Sequence, residues 1–316
     1  MTIVVFGKNG LAGSAIARRL SKSNHDFIAL SRNDVDLANF DQTLKCLQEI
    51  KPTAVIAAAA RVGGMVANKT YPVEFLLDNL IIQNNILKAS HIASIERLIF
   101  LGSSCIYPVS AQNPISEDSL LTGTLEKTNE PYAIAKSAGL TLVKAFRSEY
   151  GRDWISLMPT NLYGPGDNFD LQNSHVLAAL IRKIHEAAKR NDKSITLWGS
   201  GKPRREFLHV DDFADAVVFC LDTYHDESPL NVGVGTDISI KDLAELISVK
   251  IGFEGEIKWD TSVPDGIQQK RLDIAKITDL GWKPRIELET GIAETIKWFI
   301  ANYSNARINV GVKSIG

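Results

Sequence analysis

The chain has 316 residues, a formal net charge of -2, 45% hydrophobic residues and 23% charged residues. That length allows one large or two modest domains with a real core, and the composition is ordinary for a soluble globular protein. The near-balanced charge gives no reason to expect nucleic acid or an acidic membrane surface as partner, while leaving room for a local basic pocket.

In chain order, Ile3 to Phe6 reads as a strand. Leu11 to Leu20 has helical spacing with Ile16 and Leu20 on one face. Strands follow at Asp26 to Leu30, Ala54 to Ala58, Leu98 to Leu101 and Trp154 to Met158. Long helices are predicted at about Val73 to Ala93 and at Tyr132 to Tyr150. Apolar strands alternating with helices argue for a parallel sheet covered on both faces. Beyond Pro159 the loops lengthen and gain Gly, Pro and Asn. Helices are predicted near Ser174 to Lys189, Val210 to Leu221, Ile240 to Lys250 and Leu288 to Ile300, with short strands between.

The expected fold is therefore α/β: a Rossmann-type doubly wound parallel sheet with a smaller C-terminal α/β substrate-binding lobe. The dinucleotide domain is expected over 1–160 with a returning segment near 206–228; the lobe over 161–205 and 229–302; and a poorly specified tail over 303–316. Cys46, Cys105 and Cys220 are too few and too widely spaced for a disulfide framework or a zinc site, so no metal is expected. No basic leader precedes the first strand, and no apolar run approaches the roughly 20 residues that span a bilayer. A cytoplasmic setting is the expectation.

Gly7-Lys8-Asn9-Gly10-Leu11-Ala12-Gly13 joins the first strand to the first helix. The spacing is G-x-x-G-x-x-G. Gly7 permits a tight turn, Gly10 lets the backbone approach a pyrophosphate, and Gly13 allows the helix to pack closely. The helix N-terminus then offers unpaired N–H groups to phosphate. At the end of the second strand, an acidic residue would hold the ribose of NAD. This chain has Leu30-Ser31-Arg32-Asn33, in which Ser31 and Arg32 suit a 2′-phosphate. Asp34 and Asp36 are expected to lie beyond its reach. The cofactor expected is NADPH.

Tyr132-Ala-Ile-Ala-Lys136 puts a phenol and an ammonium one helical turn apart. A free tyrosine has a pKa of about 10, and a nearby cation is expected to lower it. Tyr132 can then give a proton to a carbonyl oxygen as hydride reaches the carbon. Ser103, in Leu101-Gly102-Ser103-Ser104-Cys105 at a strand end, can hydrogen-bond the same oxygen.

These motifs resemble the extended short-chain dehydrogenase/reductases. Further stretches resemble the GDP-L-fucose synthase family within them, from about residue 2 to 302. They are Ala58-Ala-Ala-Arg-Val-Gly-Gly64 with Ala67-Asn-Lys-Thr-Tyr-Pro72, Gly102-Ser-Ser-Cys-Ile-Tyr-Pro108, Asn129-Glu-Pro-Tyr-Ala-Ile-Ala-Lys136, Pro159-Thr-Asn-Leu-Tyr-Gly-Pro165 and Arg205-Glu-Phe-Leu-His-Val-Asp-Asp212. The resemblance implies proton exchange at the sugar carbons flanking a ketone, then reduction of that ketone by NADPH. It implies Cys105 and His175 as the acid–base pair beside Ser103, Tyr132 and Lys136. From the residues alone, a cysteine after a strand is equally a small buried hydrophobe, and a histidine at a helix start equally a polar cap neighbour. Period-2 geometry can direct Ser103 and Cys105 the same way. Implied cofactor contacts are the glycine loop, Arg32, Asp36, Leu37, Leu101, Gly102, Ser103, Ser104, Lys136, Pro159, Thr160, Asn161, Leu162 and His175. Implied substrate contacts are Lys183, Trp198, Arg205 and Lys270. The implied substrate is a GDP-linked 4-keto-6-deoxy sugar; the alternative is a related GDP-4-keto-deoxy-sugar epimerase/reductase or 4-reductase of the colitose or deoxyheptose type. Two departures stand out: Asn9 where the family often has Arg, and Lys183 where it often has Arg. A homodimer is expected by the same analogy.

Overall fold

The computed structural model describes residues 2–304 and 306. The central strands are apolar because both faces are covered. In β1 (Thr2–Phe6), Ile3 and Val5 pack with Ala15, Ile16 and Leu20 of α1 (Leu11–Leu20), while Val4 and Phe6 turn to the opposite core. The period-2 alternation of a strand produces this split. β2 (Asp26–Leu30) follows, then α2 (Phe40–Ile50), β3 (Ala54–Ala57), α3 (Met65–Thr70), α4 (Pro72–Ile92) and β4 (Arg97–Leu101). α5 (Glu130–Tyr150) starts two residues before Tyr132, with Pro131 in its first turn, where a missing N–H costs nothing. β5 (Asp153–Pro159) and β6 (Asn161–Tyr163) lead into α6 (Val176–Arg190) and β7 (Ser194–Trp198). The remainder is β8 (Arg204–Arg205), β9 (Phe207–His209), α7 (Val210–Thr223), β10 (Leu230–Val232), β11 (Ile238–Ser239), α8 (Ile240–Ile251), β12 (Glu256–Asp260), β13 (Gln269–Lys270), α9 (Ala275–Asp279) and α10 (Leu288–Ala301).

The large sheet runs β10-β5-β4-β3-β1-β2 and is parallel at every pairing. α1 and α7 cover one face, α2, α4 and α5 the other. From β1 the chain goes outward to β2, then returns past β1 to β3. The strand order therefore reverses between β1 and β3, and open α/β sheets bind ligands beyond the strand ends at such a point.

The returning segment extends past the expected 206–228. Leu230 to Val232 pair with Leu157 to Pro159, and Ile277 and Trp282 join the same core. A second core gathers α6, α8 and α10 around Phe169, Ile181, Leu243, Ile247, Ile292 and Phe299. Three small sheets, β12-β7, β11-β8-β13 and β6-β9, complete the fold. Among the described residues no helix is long and apolar enough to cross a membrane, and no cluster of three metal-ligating side chains occurs. The tail beyond residue 306 lies outside the described residues.

Candidate active site

The glycine loop sits at the switch point. Gly7 has φ +96, and a Cβ there would lie 2.9 Å from the Ala58–Ala59 backbone. A Cβ on Gly13 would lie 2.1 Å from the Gly7 carbonyl oxygen, so only glycine lets α1 come this close. Gly10 is the N-cap of α1 and provides no side-chain cap. The first-turn N–H groups are therefore left for an acceptor from outside the helix, which is the arrangement a pyrophosphate needs. The residues present fit a dinucleotide.

At the end of β2, Arg32 is exposed and pairs with no described acid. Asp34 is bonded to Ser31 of the same turn. Its carboxylate accepts from the Ser31 N–H (2.7 Å) and hydroxyl (2.6 Å), because the turn after β2 folds back on Ser31. Those bonds hold the Asp34 carboxyl below its ordinary range, and Lys8 adds to the effect from the glycine loop. Two cations, Lys8 and Arg32, thus accompany one anion here. Asp36 caps Ala38 N–H (3.0 Å), and Leu37 packs into the core below α4.

Tyr132 is buried and edge-on to Phe75, with ring centroids 6.4 Å apart. Ala67, Tyr71 and Cys105 complete the cluster around it. The Ser103 hydroxyl lies close enough to the phenol to influence its ionisation. Burial pushes the Tyr132 pKa above its ordinary value, with Cys105 adding and Ser103 opposing. The expected lowering by Lys136 does not occur. The Lys136 ammonium is spent elsewhere: it donates to the Leu101 carbonyl (2.9 Å) and lies 4.9 Å from the centre of the Phe100 ring. Burial pulls its own pKa down to about 8. Tyr132 is therefore a protonated acid at neutral pH.

The period-2 argument for Ser103 and Cys105 also fails in its premise. The strand ends at Leu101, and Ser104–Ile106 form a 3₁₀ turn capped by Ser103 Oγ, which accepts from the Cys105 N–H (3.2 Å). Both residues still lie near Tyr132, Ser103 through its influence on the phenol and Cys105 by packing. Ser104 is buried beneath them, and Gly102 packs against Met158.

His175 is the N-cap of α6, makes no side-chain cap bond, and has its pKa lowered by burial. No hydrogen bond joins it to Tyr132 or Cys105. The loop before it is tied to the Tyr132 cluster instead. Gly64 N–H donates to Asn173 O (2.8 Å), and Gly63 lies against Phe75. Pro159 to Leu162 run from the end of β5 into β6, with Thr160 N–H on Val232 O (3.1 Å).

The four substrate positions divide in two. Arg205 and Lys270 are paired in register across β8 and β13, and the Cys105 sulfur is near enough to favour the charged form of each. Lys270 is buried, which lowers its pKa. Trp198 is not a core residue: it is 53% exposed at the end of β7, with the Lys183 ammonium 4.6 Å from its ring centre. An exposed indole under a cation is a platform for a flat base. Two acids missed in the sequence, Glu126 and Asp265, act on Arg205. Glu126 accepts from the N–H groups of Thr128 (3.0 Å) and Asn129 (3.2 Å), and Asp265 from Ser200 N–H (2.8 Å) and hydroxyl (2.6 Å). The only signal for Glu126 is its place just upstream of Asn129-Glu130-Pro131; Asp265 has none.

Fold and glycine loop together define a Rossmann-type, dinucleotide-dependent enzyme. Residues 3–235 match the profile of the NAD dependent epimerase/dehydratase family, and the chain belongs to that family. It is 48% identical over 307 residues to a probable GDP-L-fucose synthase 1 of Oryza sativa subsp. japonica, covering 96% of this chain and 94% of that one. It is 44% identical over 315 residues to GDP-L-fucose synthase of Escherichia coli (strain K12), covering 96% and 98%. Among solved structures it resembles a GDP-L-fucose synthetase from Naegleria fowleri bound to NADP, with TM-score 0.89, 32% identity and coverage of 97% and 94%.

Proposed function

We propose that the chain is an NADPH-dependent epimerase/reductase that converts GDP-4-keto-6-deoxy-D-mannose to GDP-L-fucose. It inverts sugar carbons 3 and 5 and then reduces the ketone at carbon 4. The observation that carries this reading is the packing of Cys105 against the Tyr132 cluster with Arg205 and Lys270 beside it. A proton-exchanging thiol and a reducing-type tyrosine thus share one cleft. The names of the relatives support the same substrate.

Bound NADPH supplies the hydride. Gly7 to Gly13 and the α1 N-terminus hold its pyrophosphate, Lys8 and Arg32 its 2′-phosphate, and Leu101 to Ser104 and Pro159 to Leu162 line its path across the strand ends. Lys8 supplies the charge that Asn9 lacks. Arg205 and Lys270 hold the diphosphate, and Trp198 with Lys183 supports the guanine. The carbons flanking the ketone are acidified by it, so a modest acid and base exchange their protons. Cys105 and His175 take these parts; burial keeps His175 neutral at pH 7, able to accept or give a proton. Tyr132, held protonated by burial with Ser103 nearby, then delivers its proton to the ketone oxygen. Lys136, anchored on the Leu101 carbonyl, holds its place in the helix turn that bears Tyr132.

The same reading places the enzyme in the cytoplasm, where its three unpaired cysteines stay reduced. It forms a homodimer through α4 and α5, whose Val73, Leu77 and Ile134 are exposed. The deciding experiment incubates the protein with GDP-4-keto-6-deoxy-D-mannose and NADPH and identifies the sugar by NMR. GDP-L-fucose is expected. A 4-reduced sugar with both flanking centres retained removes the epimerase half. No turnover, with a dideoxy-hexose or deoxyheptose analogue reduced instead, replaces the substrate.

A further inference from the structure

Glu206 takes no part in the scheme above, yet it touches both halves of it. Its side chain is fully buried and pairs with no cation among the described residues. Three backbone N–H groups close on the carboxylate: Val234 (2.6 Å) and Gly235 (2.7 Å) on Oε1, and Leu272 (2.8 Å) on Oε2. Its own N–H donates to Lys270 O (3.3 Å). Its carbonyl accepts from the Asn161 amide (2.8 Å) and the Thr160 hydroxyl (3.3 Å). Gly233 lets the carboxylate in, since a Cβ there would lie 2.3 Å from Oε1.

One residue thus joins the Arg205–Lys270 strand pair, the Thr160–Asn161 turn and the chain leaving β10. A carboxylate suits the place because its two oxygens can take three N–H donors in a dry interior. An amide has one acceptor oxygen and sets its NH₂ against an N–H.

We propose that Glu206 is a positioning residue that fixes the diphosphate-binding cations at a set distance from the dinucleotide-facing turn. This rests on the roles given above to Arg205, Lys270, Thr160 and Asn161. The consequence is selective. Loosening Glu206 frees the cation pair, while the glycine loop and Arg32 keep their own hold on NADPH.

The test uses Glu206→Gln and, independently, Gly233→Ala, whose methyl pushes on Oε1 without removing charge. GDP affinity is measured by calorimetry and NADPH affinity by fluorescence, with KM and kcat taken on the keto sugar. Losing one buried bond to a charged acceptor predicts GDP binding weaker by about ten-fold or more in both variants, with KM raised and NADPH affinity held within about three-fold. A residue that only stabilised the fold would lower Tm and leave the folded fraction with wild-type GDP affinity. That result, or NADPH affinity falling as far as GDP affinity, overturns the proposal. A wild-type protein that binds GDP but does not reduce the keto sugar sinks the functional reading and leaves the GDP test standing. Failure of the wild type to bind GDP sinks both.

Discussion

Replacing Lys136 by Met removes a charge that the fold itself resists. Burial pulls the Lys136 pKa from 10.5 to about 8. At about 1.4 kcal/mol per pH unit, holding it charged costs the folded state roughly 3 kcal/mol. The sign is set by the folded value lying below the unfolded one. The cost is full below pH 8, shrinks as pH rises from 8 to 10.5, and is gone above. Against it stand the bond to Leu101 O and the contact with the Phe100 ring, which Met cannot make. These are worth about 1–3 and about 1–2 kcal/mol. At pH 7 gain and loss nearly cancel, so Lys136→Met should unfold within about 2 kcal/mol of wild type, while reductase activity is lost. The gap should then move by roughly 3 kcal/mol in favour of wild type by pH 10.5. Urea unfolding of the cofactor-free protein at several pH values measures it. A gap that stays constant from pH 7 to 10.5 refutes the argument.

Other outcomes follow from the same geometry. Tyr132→Phe should abolish NADPH oxidation while solvent deuterium still enters the keto sugar; retained oxidation removes Tyr132 as proton donor. Cys105→Ser should cut deuterium entry at one flanking carbon, and unchanged exchange by mass spectrometry takes the thiol out of the mechanism. Arg32→Ala should lower the NADPH over NADH preference in kcat/KM by about ten-fold, the scale of one charge-assisted phosphate contact; an unaltered ratio would leave Lys8 alone as the 2′-phosphate cation. Gly13→Ala drives a methyl to within 2.1 Å of Gly7 O, so it should destabilise by about 1–3 kcal/mol or more and weaken NADPH binding. Wild-type Tm would show that α1 can move aside freely.

What the sequence revealed was what short-range chemistry decides. The glycine loop between an apolar strand and a helix, and the Tyr132–Lys136 turn, are local patterns. The structure realises both within a residue or two at their ends. α2 went unread although Phe40, Leu44, Leu47 and Ile50 recur at helical spacing and pack against the core. The Tyr132 pKa was misjudged because spacing along a helix does not reveal a competing acceptor. Leu101 O claims the ammonium from another strand. The 3₁₀ turn at Cys105 and the Ser31–Asp34 turn were not foreseen for a related reason, since the capping bonds of a tight turn are not coded by periodicity. Trp198 carried no mark of exposure, and Glu206 none of its three backbone donors, because those donors come from distant segments.

The place of β10 has a consequence for how the chain is made. Until Leu230 to Val232 emerge, Asp153 to Pro159 form an open sheet edge, and the α1 face lacks its cover, α7. During synthesis a nascent chain of the first 160 residues therefore carries an unpaired strand and a bare apolar face, both invitations to association. Excising that half for study would preserve the same exposed state, whereas a piece running through Trp282 carries its own closure.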